Sequence, residues 1–258
     1  MRQQARVVVA LGRRSVLQTF RRPQLLAPLI IFPTLLLAIQ TGGAGSAVDL
    51  PGFPPVDNFL SFMLAGAMIQ STLLAGNAAG IALAVDIEMG FTDRLLAAPI
   101  PRYAIVLGRL AGAAALGTFT ALWFLAIGLI FGVHIAEGIP GVLVMIAVVT
   151  ASALAFGSIG AAIALRSGSA SVVQGMFPLV FVILFLSSAF FPQELLLEPA
   201  STIAQYNPAT FIVDAVRDPV ISTFSSEDTW KGLAGIALVG GLGSFLSARA
   251  LKRRLRMG

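Results

Sequence analysis

Six long stretches without a charged side chain alternate with shorter polar segments along this chain. A helix needs about 20 mostly apolar residues to cross the hydrocarbon core of a membrane, and the six stretches match or approach that length. They cover approximately residues 25–40, 58–85, 110–133, 139–165, 171–191 and 232–248. The pattern predicts an all-α membrane protein with six transmembrane helices.

Basic residues are concentrated in the segments that would lie on one side of such a membrane. Of the 17 lysines and arginines, all except Arg217 and Lys231 fall in the N-terminal segment, the loops after the second and fourth spans, or the C-terminal tail. Because cytoplasmic loops collect Lys and Arg, we expect this side to be cytoplasmic. We then expect both termini to lie in the cytoplasm and the chain to lie in the inner (plasma) membrane of a bacterium.

The N-terminal segment is too basic to enter a bilayer. Arg2, Arg6 and Arg13 share one stripe of a helical wheel, although Val9 and Phe20 interrupt the pattern. We therefore expect residues 1–24 to form an amphipathic helix on the cytoplasmic surface, followed by a six-span domain over residues 25–258. A frayed basic tail is the alternative interpretation of residues 1–24.

Composition and missing motifs exclude most enzymatic functions. Only 11% of the 258 residues are charged, and cysteine is absent. An ordinary soluble domain carries about 25% charged residues. A phosphate-binding P-loop needs Gly-Lys before Ser or Thr, but the two lysines follow Trp230 and Leu251. We expect this chain to have no catalytic, metal or cofactor site of its own, so any energy from ATP must come through another polypeptide.

Glycines inside the spans occur in pairs that predict close helix packing. The pairs with a spacing of four are Gly76/Gly80, Gly108/Gly112 and Gly128/Gly132. We expect them to pack helices within the chain.

The loop after the second span predicts a short helix. Gly90 should end the preceding span, Thr92 can cap the new helix, and Pro99 disfavours helical geometry at the residue before it. A helix over residues 92–98 would expose Leu95 and Leu96, and an exposed leucine pair favours a protein partner. A loop helix lying in the lipid headgroups is the alternative.

The segment between the fifth and sixth spans, residues 192–230, is unusually apolar for an external loop. Asn207 is a favourable N-cap, and Pro208 suits the first position of a helix in which Asp214 faces Arg217. We expect two short helices that dip into the outer leaflet or cap the spans. A plain surface loop is the alternative.

These two segments resemble the signatures of the ABC type-2 exporter permeases, and the resemblance extends over almost the whole chain. The family loop after the second span reads approximately Glu-x-Glu-x-Gly, then Glu-Arg-Leu-Leu, then Pro. The matching residues here are Asp86, Glu88, Gly90, Asp93, Arg94, Leu95, Leu96 and Pro99. The family's external segment shows Phe-Pro, Asn-Pro and Asp-x-x-Arg, and the matching residues are Phe191, Pro192, Asn207, Pro208, Asp214 and Arg217. Phe91 departs from the family's small hydroxyl residue, so Thr92 is expected to take over the cap.

The resemblance implies a mechanism and partners. Two permease subunits, identical or homologous, would pair around a central path above two cytoplasmic ATPase subunits, which bind ATP and Mg. The helix over residues 92–98 would couple the ATPase to the membrane, and the external segment would supply re-entrant helices and a gate. The first and fifth spans usually line the path in this family, which makes Pro28, Pro33, Gln174 and Pro178 the candidate path-lining residues.

The resemblance is strongest to actinobacterial permeases of the daunorubicin-resistance type, which export drugs or lipids. The uncharged spans favour a hydrophobic or amphipathic cargo such as a drug, polyketide or lipid. Export of a lipid-linked glycan, an ATP-independent channel or carrier, and a membrane anchor without transport activity are the alternative functions.

Overall fold

The computed structural model describes residues 2–21, 23–97, 102–221 and 226–257, and this part of the chain is all-α. Eleven α-helices follow one another, with single 3-10 turns at Gly45–Asp49 and Gln193–Leu195. They are α1 (Arg2–Phe20), α2 (Pro23–Gly43), α3 (Phe59–Glu88), α4 (Phe91–Ala97), α5 (Arg102–Ile130), α6 (Gly138–Ser167), α7 (Ala170–Gln174), α8 (Phe177–Phe185), α9 (Ala200–Tyr206), α10 (Pro208–Ile221) and α11 (Ser226–Met257).

Five of these helices, α2, α3, α5, α6 and α11, are long and apolar enough to cross a membrane. They correspond to five of the six predicted spans. The exception is the predicted fifth span, residues 171–191, which forms α7 and α8 with a turn between them at Gly175 and Met176. Pro178 explains the break, because it has no N–H to donate to the carbonyl of Gln174 four residues earlier.

The broken segment nevertheless follows α3 from one end to the other. At the first end, the backbone N–H of Ala170 donates to Glu88 Oε1 over 2.8 Å. At the second end, Arg217 donates both to the carbonyl of Ser188, just after α8, and to the carbonyl of Phe62 in the first turn of α3. We call the end near Glu88 the basic end of the molecule and the end near Phe62 the opposite end.

α3 is the central helix of the fold, and an apolar stretch of 18 of its residues is entirely buried. It contacts α2, α5, α6, α7, α8 and α10. Gly76 and Gly80 bring it against α6, since a Cβ on Gly80 would lie 2.8 Å from the carbonyl oxygen of Gly160. The predicted close packing at this glycine pair is confirmed, and small residues are the means by which helices approach closely in lipid.

α2 stays continuous through two internal prolines, Pro28 and Pro33. Pro33 cannot donate to the carbonyl of Leu29, but the hydroxyl of Ser71 on α3 donates to that oxygen over 2.7 Å. Side chains of neighbouring helices commonly satisfy backbone groups that a proline frees inside a membrane. The contact also joins α2 to the central helix.

The predicted N-terminal helix is present as α1, and its second half lies lengthwise against the first half of α5. Leu11 and Ser15 fit against Gly108 and Gly112, and the rings of Phe20 and Phe119 meet edge to face with centroids 5.5 Å apart. A helix lying clear of the spans would not make these contacts, so the face containing Ser15 is a packing face. Its position relative to a membrane surface stays a prediction.

Candidate functional site

The carboxylate of Asp86 is the centre of an ion cluster at the basic end. It is buried at the end of α3 and accepts hydrogen bonds from Arg14 of α1, at 3.1 and 3.4 Å, and from Arg109 of α5. Arg109 also donates to the carbonyl of Ala82 over 3.0 Å. We call Arg14, Asp86 and Arg109 the Asp86 cluster. It joins three helices through charge-assisted hydrogen bonds, which are stronger than neutral ones.

The short helix α4 is attached to this cluster. Gly90 has a φ of +66° and separates α3 from α4, as the sequence predicted. α4 begins directly at Phe91, and the guanidinium of Arg14 lies 3.8 Å from the centroid of the Phe91 ring. One arginine therefore contacts both the end of α3 and the start of α4.

The predicted role of Thr92 as an N-cap is wrong. The helix begins one residue earlier, at Phe91, so Thr92 lies inside the first turn. Its hydroxyl is buried and has no hydrogen-bond partner among the described residues. The carbonyl of Gly90 already accepts from the N–H of Arg94, because the left-handed glycine turns the chain directly into the helix.

The other loop residues differ in exposure. Arg94 is exposed, Leu95 is half-buried, and Glu88 holds the start of α7. Asp93 and Leu96 belong to α4, but their side chains lie outside the described residues, as does the whole of Pro99. The predicted end of the helix at residue 98 also falls outside the described part of the chain.

A second cluster, at the opposite end, is built around Arg217 of α10. Its buried guanidinium donates to Asp214 Oδ1 over 2.8 Å, to the carbonyl of Ser188 over 2.6 Å and to the carbonyl of Phe62 over 3.3 Å. It also lies over the Phe62 ring, 3.9 Å from the centroid. The predicted pairing of Asp214 with Arg217 is confirmed. We call Phe62, Ser188, Asp214 and Arg217 the Arg217 cluster.

Asn207 links the end of α8 to the start of α10. Its side-chain oxygen accepts from the N–H of Ala209 over 2.9 Å, which confirms the predicted N-cap before Pro208. Its amide nitrogen donates to the carbonyls of Ile183 and Leu186 over 2.8 and 2.7 Å. These bonds occupy one carbonyl in the last turn of α8 and the carbonyl of the residue that follows the helix, neither of which has a partner within the helix.

The segment around Asn207 contains the two expected short helices, α9 and α10. α10 is an amphipathic helix whose apolar face packs against α3, α6 and α11. Just before this segment, Phe191 is exposed and Pro192 is buried. Residues 200–221 therefore form helices and not a plain surface loop, whereas residues 196–199 before them have no helical structure.

An apolar groove of about 540 Å³ runs between α2, α3, α7 and α8. Three of the four candidate path residues, Pro28, Gln174 and Pro178, line it, whereas Pro33 is buried and does not. Asn77 and Gln174 bring two carboxamides into the groove, and none of its lining residues is charged.

Sequence reasoning missed Arg14, Arg109, Phe62 and Ser188 as site residues. The first two were counted only as part of the cytoplasmic charge. One signal was available for Arg109. It is a charged residue in the first half of an apolar helix, and it lies 23 residues after Asp86 in the chain. No local pattern distinguishes Phe62 or Ser188, which take part through backbone carbonyls or through the face of a ring.

A family model described as ABC-2 type transporter matches residues 6–220, which include both clusters and the groove. The chain belongs to the ABC-2 type transporter family. No curated protein matches the chain. As an ABC-2 protein with five long apolar helices, it is a multi-pass membrane protein and the permease component of an ABC transporter. The ABC-2 membrane domain is not itself catalytic, and such permeases generally work with ATPase partners.

Proposed function

We propose that this chain is the permease subunit of an ATP-driven exporter for a hydrophobic or amphipathic compound such as a drug, polyketide or lipid. Two permeases, identical or homologous, would share one path. Two cytoplasmic ATPase subunits would bind ATP and Mg and drive the permeases from the basic end. Both termini would lie in the cytoplasm and the chain in the bacterial plasma membrane, with α7 and α8 as a sixth, broken crossing. Specificity of the daunorubicin-resistance type stays a prediction.

The observation that carries this proposal is the attachment of α4. The helix is seven residues long, follows a left-handed glycine, and begins at a ring covered by Arg14. Arg14 is in turn ion-paired with the buried end of the central helix. A partner that pushes on α4 therefore pushes on α1, α3 and α5 together, as a coupling element requires.

The coupling assignment can be tested with two aspartate substitutions on α4. The chain is produced together with the ABC ATPase subunit proposed as its partner and is purified through a tag on the permease. We expect Leu95→Asp combined with Leu96→Asp to abolish co-purification of the ATPase, because charged side chains would replace the apolar contact. ATP-dependent efflux of a fluorescent anthracycline from whole cells should fall to the level of cells without the permease.

Leu197→Asp is the matched control, since Leu197 is 85% exposed and belongs to the external segment. It introduces the same side chain far from α4 and should leave both readouts unchanged. Normal ATPase binding by the α4 double variant, at wild-type abundance in the membrane, would contradict the coupling role.

The groove supports the proposed class of cargo. A polyanionic glycan would favour basic residues along its path, whereas the groove offers an apolar wall and two neutral carboxamides. If the cargo passes this wall, Asn77→Asp should reduce anthracycline efflux, because a carboxylate is costly to bury beside an apolar compound. Asn77→Leu should retain efflux. Equal anthracycline efflux by Asn77→Asp and Asn77→Leu would show that the groove is not part of the transport path.

A further inference from the structure

A second cavity, of about 380 Å³, lies between α6 and α11 at the basic end. Its wall is apolar, formed by side chains that include Ala162, Ile163 and Leu246. Three guanidinium groups border it, those of Arg166, Arg249 and Arg253. Neither α6 nor α11 lines the apolar groove between α2, α3, α7 and α8, so the two sites are separate.

Within the described part of the chain, the three arginines carry positive charge that no ion-paired carboxylate balances. Among the described residues, none of them has an ion-pair partner, whereas Arg14, Arg109 and Arg217 each have one. Like charges that border one cavity repel one another. An anion bound between them would remove that repulsion.

Helix packing explains why a cavity forms at this position. α6 and α11 run in parallel and meet closely where Ser158 lies against Gly243 and accepts a hydrogen bond from Ser247 over 2.9 Å. Towards the basic end the two helices stay in contact through small and apolar side chains, among them Ala161, Ala164, Ala250 and Leu251. The longer side chains of Arg166, Arg249 and Arg253 stand beside this contact and border the cavity.

The depth of the cavity matches the headgroup layer of a bilayer. The uncharged stretches of the two helices end at residues 165 and 248, so Arg166 and Arg249 directly follow them and Arg253 lies one turn further on. Just before them, Leu238, Leu242 and Phe245 form an exposed apolar face on α11. Acyl chains would cover this face, while a headgroup would sit at the level of Arg166 and Arg249.

We propose that the cavity binds an anionic phospholipid, with its phosphate between the three arginines and its acyl chains along α11. Basic pockets between helices at the cytoplasmic side of a membrane are suited to such lipids. The site goes beyond the proposed transport function, because the lipid is a bound component of the permease and not its cargo.

The test is the binding of dioleoyl phosphatidylglycerol to the purified full-length chain in detergent, followed by native mass spectrometry. We expect the wild type to bind this lipid more tightly than dioleoyl phosphatidylcholine. The triple variant Arg166→Gln/Arg249→Gln/Arg253→Gln should bind it about a hundredfold more weakly, at about fivefold for each cation removed near a membrane surface. Arg166→Lys/Arg249→Lys/Arg253→Lys keeps the charge and should retain most of the binding.

A control variant removes the same amount of charge elsewhere, through Arg13→Gln, Arg21→Gln and Lys252→Gln, all exposed positions outside the cavity. It should bind phosphatidylglycerol as the wild type does. An equal loss of phosphatidylglycerol binding in the glutamine variant of the cavity and in the control variant would show a general charge effect and overturn the proposed site. Displacement of the lipid by an equal concentration of soluble sn-glycerol 1-phosphate would also overturn it, in favour of a free phosphate site. Unchanged thermal unfolding of the glutamine variant verifies that it is folded.

Discussion

Arg14 of α1 and Asp86 of α3, 72 residues apart in the chain, form an ion pair with an Nη1–Oδ2 distance of 3.1 Å. Arg109 approaches the same carboxylate from α5 and is itself buried. One carboxylate thus balances two cations at the end of the central helix. The side chains differ in exposure: that of Arg14 is 40% exposed, and that of Arg109 only 6%.

Removing the carboxylate of Asp86 should therefore cost far more than removing Arg14. Asp86→Asn removes the carboxylate that is ion-paired with the buried guanidinium of Arg109, and breaking a buried ion pair typically costs about 3–5 kcal/mol. Arg14→Gln removes a partly exposed partner, for which about 0–1 kcal/mol is typical. Thermal unfolding in detergent measures both effects. Asp49→Asn, at an exposed position, is the control, and equal losses from Asp86→Asn and Arg14→Gln would contradict the cluster.

Arg217 should not tolerate replacement by lysine. Its planar guanidinium reaches three acceptors on three segments, and a single ammonium group cannot reproduce that geometry. We expect Arg217→Lys to lose about 1–3 kcal/mol, the typical cost of a buried acceptor left without a donor. The melting temperature in detergent is the readout.

The opposite exchange, Lys231→Arg, is the control for Arg217→Lys. Lys231 is half-exposed and forms an ion pair with the exposed Glu227 one turn earlier, so the melting temperature of Lys231→Arg should stay at the wild-type value. A melting temperature for Arg217→Lys equal to that of the control would show that its three hydrogen bonds contribute nothing.

Ser71 should matter only because Pro33 is present. Ser71→Ala leaves the carbonyl of Leu29 without its donor, at a cost of about 1–3 kcal/mol. In a Pro33→Ala background the new N–H at residue 33 can donate to that carbonyl, so Ser71→Ala should cost much less. Thermal unfolding of the two single variants and the double variant measures the loss of stability in each. If the losses of the single variants add up to that of the double variant, the two residues act independently.

The sixth crossing can be tested by cysteine labelling, because the natural chain has no cysteine. Ser167→Cys lies at the basic end of α6, and Leu197→Cys lies beyond α8 at the opposite end. A membrane-impermeant maleimide added to intact cells should label Leu197→Cys alone. Ser167→Cys should react only after permeabilisation, and labelling of both from the same side would exclude the crossing.

Signals confined to a few neighbouring residues were readable in the sequence. Gly90 predicted the end of α3 and Asn207 with Pro208 predicted the start of α10, because a turn or a cap is decided within about four residues. Thr92 failed as a cap although it is a suitable residue type. The left-handed glycine before it had already placed Phe91 in the helix.

Proline shows where sequence reasoning stops. Pro33 leaves α2 continuous, whereas Pro178 coincides with a break between α7 and α8. At Pro33 the freed carbonyl of Leu29 finds a donor on Ser71, and that contact depends on which helices become neighbours. The Asp86 cluster was missed for the same reason, since its three charges come from segments that only the folded structure brings together.

The two ion clusters stand at opposite ends of a single uninterrupted helix. α3 has 30 residues, so it extends for about 45 Å, with Asp86 fixed near its last turn and Phe62 under Arg217 near its first. In the proposed coupling, a displacement applied at α4 would be passed along this helix, which is anchored at both ends, to the Arg217 cluster without a break in between. The segment α7–α8 runs beside α3 and is divided by the turn at Gly175 and Met176, so bending of this segment would be concentrated at that turn.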